Sequence, residues 1–104
     1  MAHAIGRIVR YTLTEGDAQA INKRRADTQA HLAEHRDAST GVQVHVGNAA
    51  HAGDVFPMLI TRVWGDTSEA SVNGQVFLDG NDSLWVTSVA EGDGERKFKY
   101  PERV

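Results

Sequence analysis

Cysteine is absent from this 104-residue sequence, which excludes disulfides, thiolate nucleophiles, cysteine-ligated zinc and iron–sulfur clusters together. Histidine and the carboxylates are the strong metal ligands left. Nowhere do about 18 apolar residues run together as a bilayer span requires, and the stretch Met1 to Arg7 has no long apolar run behind a basic cap. A soluble, cytoplasmic chain is therefore expected, with no membrane role. Also missing are the G-x-S-x-G elbow, the phosphate loop and the dinucleotide fingerprint. No catalytic residue, cofactor-binding residue or cofactor is indicated, and an enzyme is not expected. Repeats and linkers are lacking too, and the length suits one modest domain over 1–104 rather than two.

What is present is ordinary globular composition, 40% hydrophobic and 24% charged, far from the low-hydrophobicity corner where chains stay disordered. The net charge of −3 conceals a partition. Residues 1–36 hold six basic and four acidic side chains; residues 37–95 hold only Arg62 against nine carboxylates; residues 96–104 are basic again. Such a split implies a basic segment lying beside, or against another copy of, an acidic body, and its field acts on association and solubility. Duplex DNA suits an acidic body poorly, because phosphate binding draws on clustered Lys and Arg.

The most apolar stretch, Gly53 to Gly65, reads as the central strand. Alternation puts Val55, Pro57, Leu59, Thr61 and Val63 on one face and Phe56, Met58, Ile60, Arg62 and Trp64 on the other, so both faces ask for cover. Ile5 to Leu13 reads as an outer strand with Val9, Tyr11 and Leu13 on one side. Thr14-Glu15-Gly16-Asp17 forms a capping-box variant that starts a helix near Glu15. Its apolar stripe is Ala18, Ile21 and Leu32, completed by spacing alone at Arg25 and Thr28, and Asp37 to Gly41 ends it. Val42 to Val46 alternates as a half-buried strand. Asn73-Gly74 carries the signature of a type I′ hairpin turn. Asp79 to Asp82 turns the chain between Gln75–Leu78 and Leu84–Val89, and a last strand puts Phe98 and Tyr100 on one face. The expected class is α+β, mainly β: a small antiparallel bent sheet or partly open SH3-like barrel of five or six strands, one helix inserted after the first strand.

Several residues invite a chemical role, each with a plainer alternative. His31 and His35 stand four apart on the helix and could share a metal with His45 or His51, but the zinc-protease pattern needs its glutamate directly after the first histidine, where Leu32 stands. A structural or solvent-facing role is the simpler account, and no metal ligand is assigned. Asp79 to Asp82 lacks the alternate carboxylates of a calcium loop and reads as a turn. Lys23, Arg24 and Arg25 could meet phosphate or an acidic partner, although short basic runs on polar helices are usually solvated. Trp64 and Trp85 are the side chains best able to anchor a partner; core packing is the alternative that small cores favour.

The combination Arg10 to Ala18, Ile21-Asn22, Arg24-Arg25, Val46 to Asn48, Ala52 to Met58, Arg62 to Thr67 and Val72 to Asp82 resembles a group of small uncharacterised proteins encoded by tailed bacteriophages and prophages. The likeness covers nearly the whole chain. It brings no catalytic residues with it, and implies an accessory protein made in a bacterial cytoplasm. Two functions fit. One is a protein-binding domain that docks on itself or on a phage or host protein through a strand edge or a Trp-bearing face, with Trp64, Trp85, Lys23, Arg24 and Arg25 as contact residues. The other is a nucleic-acid-associated module using Lys23, Arg24, Arg25, Arg36, Lys97 and Lys99.

Overall fold

The computed structural model describes residues 2–34 and 47–102. Strand β1 (Ile8–Thr12) leads into helix α1 (Glu15–Glu34), followed by β2 (Val55–Val63), β3 (Val72–Phe77), β4 (Ser83–Glu91) and β5 (Lys97–Lys99). The strands close into a barrel in the order β1-β2-β3-β4-β5. The joints are antiparallel except β4 with β5, which is parallel. A mainly β domain with one helix after its first strand is thus what forms. It is closed and mixed, so β1 has neighbours on both sides instead of lying at an edge. Among the described residues no helix is long and apolar enough to cross a membrane.

Alternation decides what fills the barrel. Val9 and Tyr11 of β1, Met58 and Ile60 of β2, Val72 and Val76 of β3, Val86 and Val89 of β4, and Phe98 of β5 point inward and are buried. The segment expected to be the central strand does form β2, flanked by β1 and β3, but in a closed barrel every strand has two neighbours and none is central. The second face of β2, however, is not covered: Val55, Pro57 and Thr61 are exposed. A barrel needs only one apolar face per strand, because its interior is shared by all of them.

The helix begins where the sequence indicates. Asp17 N–H donates to Thr14 Oγ1 at 3.0 Å, and Thr14 N–H donates back to Asp17 Oδ2 at 3.1 Å, so two orphan donors of the first turn are satisfied reciprocally. Tyr11 adds its hydroxyl to the same carboxylate oxygen at 2.6 Å. Burial and that hydrogen bond to Asp17 push the Tyr11 phenol far above its usual pKa, keeping it a donor. Thr14→Ala is expected to lower stability by about 1 kcal/mol in a urea melt, with Thr14→Ser retaining most of it; equal melts for all three chains would remove the cap from this account.

Ala18 and Ile21 join the core with Ala50 and Leu78. Arg25 follows on the same stripe and is buried as well. It is accommodated by Asp82, whose side chain is 1% exposed. Arg25 Nη2 and Nε reach Asp82 Oδ1 and Oδ2 at 2.8 and 3.1 Å, Arg24 Nη2 reaches Oδ2 at 3.0 Å, and Arg25 Nη1 donates to the Asn48 carbonyl. Asn22 exchanges two hydrogen bonds with the Ala50 backbone. The helix is therefore moored to the 48–50 loop and to the β3–β4 turn.

The Asn73-Gly74 turn does not form. Both residues lie inside β3, paired with Arg62 and Ile60, and the chain reverses instead between Trp64 and Ser71, whose backbones bond at 2.9 Å. Gly74 is used for clearance rather than for positive φ: a Cβ there would lie 2.6 Å from Met58 Cγ and 2.9 Å from the Leu59 carbonyl oxygen. Asp79 to Asp82 does turn the chain, with Leu78 N–H reaching the Asp82 carbonyl at 3.3 Å. The expected helix end at 37–41 and strand at 42–46 lie outside the described residues.

Candidate functional site

With Val9, Met58, Val76 and Val86 facing in, their chain neighbours face out. Ile8 pairs with Leu59, Leu59 with Gln75, and Gln75 with Trp85, so four outward side chains form one row across four strands. The ends of the row are open to water, Ile8 at 56% and Trp85 at 62% exposure. Phe77, next outward on β3, and Val55, further along β2, are exposed too. This wall is mixed, with Ile8, Leu59, Trp85, Phe77 and Val55 set among Gln75, Arg10 and Thr61, and it carries more exposed large apolar side chains than strand alternation alone would place there. Singly exposed apolar residues are normal, but a contiguous set on a rigid sheet is the usual mark of a contact surface.

Core packing of the tryptophans is overturned, since Trp64 is 53% exposed as well. Trp64 is nevertheless held: its Nε1–H donates to Asn73 Oδ1 at 3.0 Å, and the Arg62 guanidinium lies 4.1 Å from the ring centroid. Asn73 Oδ1 also accepts the Ser88 N–H at 2.9 Å. Ser88 has φ of 53° at the place where the β3–β4 register shifts, so Asn73 braces a bulge in β4. Asn73 and Gln75 are successive outward residues of β3. Trp64 bonded to the first and Trp85 opposite the second thus share one wall.

The basic run divides. Lys23 faces solvent and pairs with Asp27 at 2.6 Å; Arg24 and Arg25 turn inward to Asp82. Burial raises the Asp82 carboxyl, but the hydrogen bonds and charges of Arg25 and Arg24 outweigh it and hold it below the ordinary carboxylate range. As a surface for phosphate or an acidic partner, the run is reduced to Lys23. The acidic body also resolves differently. The five strands carry Arg10, Arg62, Lys97 and Lys99 against Glu91, while Asp54, Asp66, Glu69, Asp79, Asp82, Asp93 and Glu95 lie in connections. Basic walls stand between acidic turns.

His35, His45 and Arg36 lie outside the described residues, as does the side chain of His31. His51 is exposed, 3.7 Å from Asp54. Among the described residues no three His, Asp or Glu side chains gather in a metal-binding group.

One cluster has no signal in the sequence. His3 is buried and spans the chain: its Nε2 donates to the Ser68 carbonyl at 2.9 Å, and its Nδ1 lies 2.7 Å from the Tyr100 hydroxyl, which can donate or accept. Phe98 and Tyr100 pack on the imidazole, and Arg7 lies over the Tyr100 ring at 5.1 Å. Partners 65 and 97 residues away leave no local pattern to read. The cluster fastens the segment before β1 to the barrel, and every polar atom in it is used for that.

No family model matches the chain, and comparison with curated proteins and with solved structures finds no match.

Proposed function

We propose that this chain is a small protein-binding domain that docks through the outer wall of its barrel. The observation that supports this reading is the row Ile8, Leu59, Gln75 and Trp85, laid across four hydrogen-bonded strands with both ends in water. Docking by strand addition is less suited to this fold, because every strand of the closed barrel already has a neighbour on each side. Docking by a face remains. A rigid sheet presents its side chains at little entropic cost, and an exposed tryptophan is the side chain most able to concentrate binding energy. The resemblance to small tailed-phage proteins makes a phage or host protein, or a second copy, the natural partner.

Trp85→Ser is the test. Sedimentation across a concentration series, together with capture of phage and host proteins on the immobilised chain, should show an association that the substitution weakens about thirtyfold, the size of a 2 kcal/mol hot spot. Its melting should stay within about 0.5 kcal/mol of the parent, as for exposed positions generally. A chain that stays monomeric and captures nothing that Trp85→Ser releases would overturn the reading. A salt-sensitive shift with a mixed-sequence oligonucleotide would put the nucleic-acid function in its place.

A further inference from the structure

Beside the apolar row lies a pocket of about 280 Å³ lined by β1, β5 and the β4–β5 connection. Its lining includes Arg10 and Thr12 of β1, Val55 of β2, Lys99 of β5, and the carboxylates of Asp93 and Glu102. Arg10 and Lys99 are register partners, so two cations stand side by side on the barrel wall. They are not equivalent. Lys99 Nζ is 2.6 Å from Asp93 Oδ1, and the Asp93 bond and charge, with a smaller contribution from Glu102, raise its pKa. Arg10 has no hydrogen-bond or ion-pair partner among the described residues. Of the four charges in the lining, Lys99 and Asp93 form an ion pair, and Arg10 is the cation left without one.

Arg10 is also where the pocket meets the docking wall. Ile8 and Arg10 are successive outward residues of β1, about 6.6 Å apart at the usual strand rise, and Ile8 opens the row that ends at Trp85. An unmatched guanidinium next to an apolar surface suits a segment that carries both an apolar side chain and a carboxylate, since guanidinium forks match carboxylates in geometry as well as charge.

We infer that the partner segment is an acidic, apolar peptide, with a carboxylate entering the pocket at Arg10 and apolar side chains lying along Ile8, Leu59 and Trp85. This deepens the protein-binding reading and rests on it. Lys99 is already paired with Asp93, and the carboxylates of Asp93 and Glu102 repel an incoming anion, so Arg10 is the cation that receives it. The same arrangement disfavours a partner whose flanks are basic.

The test uses the whole chain, isotope-labelled for amide and indole resonances, and three blocked peptides of equal length that alternate leucine with aspartate, serine or lysine. The Leu/Asp peptide should move the resonances of Ile8, Arg10, Leu59 and the Trp85 indole and bind roughly threefold to fivefold tighter than Leu/Ser, the range of one exposed ion pair. Leu/Lys should bind weakest. Arg10→Gln should erase the preference for Leu/Asp over Leu/Ser. Equal binding of all three peptides, shifts confined to another surface, or no shift with any peptide at millimolar concentration would overturn the inference. In each of those cases the Trp85→Ser sedimentation and capture results decide separately whether the wall docks a protein at all. An oligonucleotide that moves the same resonances would overturn both.

Discussion

Replacing Asp82 with alanine should cost about 3–5 kcal/mol, the loss associated with stranding a buried charge. The carboxylate is the counter-charge of Arg25, whose side chain is 7% exposed, and of Arg24. Without it, Arg25 keeps a hydrogen bond to the Asn48 carbonyl but no negative partner at Oδ1 and Oδ2, and the helix loses its attachment to the β3–β4 turn. Domains of this kind have about 5–15 kcal/mol of total stability, so the thermal midpoint should fall by many degrees. Replacing all three together, Arg24→Met and Arg25→Met with Asp82→Leu, should recover most of the loss, because the penalty lies in the unmatched charges and not in the absence of the ion pairs. A single Asp82→Ala chain that melts like the parent would show that the mooring carries little energy.

The same pair sets an acid limit. Asp82 is held below its ordinary value in the folded chain, so the native state binds this proton less readily than the unfolded state. Its stabilising contribution is complete above the unfolded carboxylate value of about 3.9 and is lost as pH falls through the lower folded value. Asp82→Asn should therefore reduce stability at neutral pH and flatten the acid arm of a stability–pH curve. An unchanged acid arm would mean that other carboxylates govern it.

Gly74→Val is expected to be the other severe substitution. Even the first added carbon would stand 2.6 Å from Met58 Cγ, 2.7 Å from its Sδ and 2.9 Å from the Leu59 carbonyl oxygen, and two more methyl groups follow it into a filled interior. Overpacking of this kind costs about 1–3 kcal/mol and occasionally more. Met58→Ala in the same chain should return part of the loss, because the methionine end can be removed while the Leu59 carbonyl cannot. Gly74→Ala should show a smaller version of the same pattern in denaturant melts. A valine variant as stable as the parent would mean that β2 and β3 can separate at this point without penalty.

Gly74 also marks where local pattern misleads. Asn-Gly is read as a turn because both residues accept positive φ, yet the pair lies within a strand. There the glycine gives Met58 room and the asparagine carboxamide braces Trp64 and the Ser88 bulge. Those demands come from β2 and β4, and nothing within a few residues of Asn73 announces them. The helix start is the opposite case: Thr14 and Asp17 are three apart and bond each other, so a local pattern carries a local structure. The inward faces of β1 and β5 were legible for the same reason, because alternation is a property of each strand alone, whereas β2, apolar on both faces, did not show by itself which face the barrel encloses. Closure is not, since it depends on β5 finding both β1 and β4.

The exposed row proposed for docking was legible only in part. Trp64 and Trp85 stand out as large side chains, but their exposure follows from which face the barrel encloses. Arg25 belonged to two patterns, the buried stripe of the helix and the basic run of Lys23 to Arg25. The stripe prevails because Asp82, brought in by a turn 57 residues away, supplies the missing charge. The apolar row itself is a product of register, and register is set by pairing rather than by any one segment.

The sealing of β1 against β5, through Arg10 with Lys99 and Tyr11 with Phe98, has a kinetic consequence. Loop closure over so long a stretch is entropically slow, and folding rates fall as contacts become less local. On a ribosome the β2–β3–β4 meander can assemble early, but its final partner strand is not available until Lys99 has emerged. Until then β1 and β4 expose unpaired backbone, and this interval before sealing is when the nascent chain is most open to chaperones and to mispairing with its neighbours.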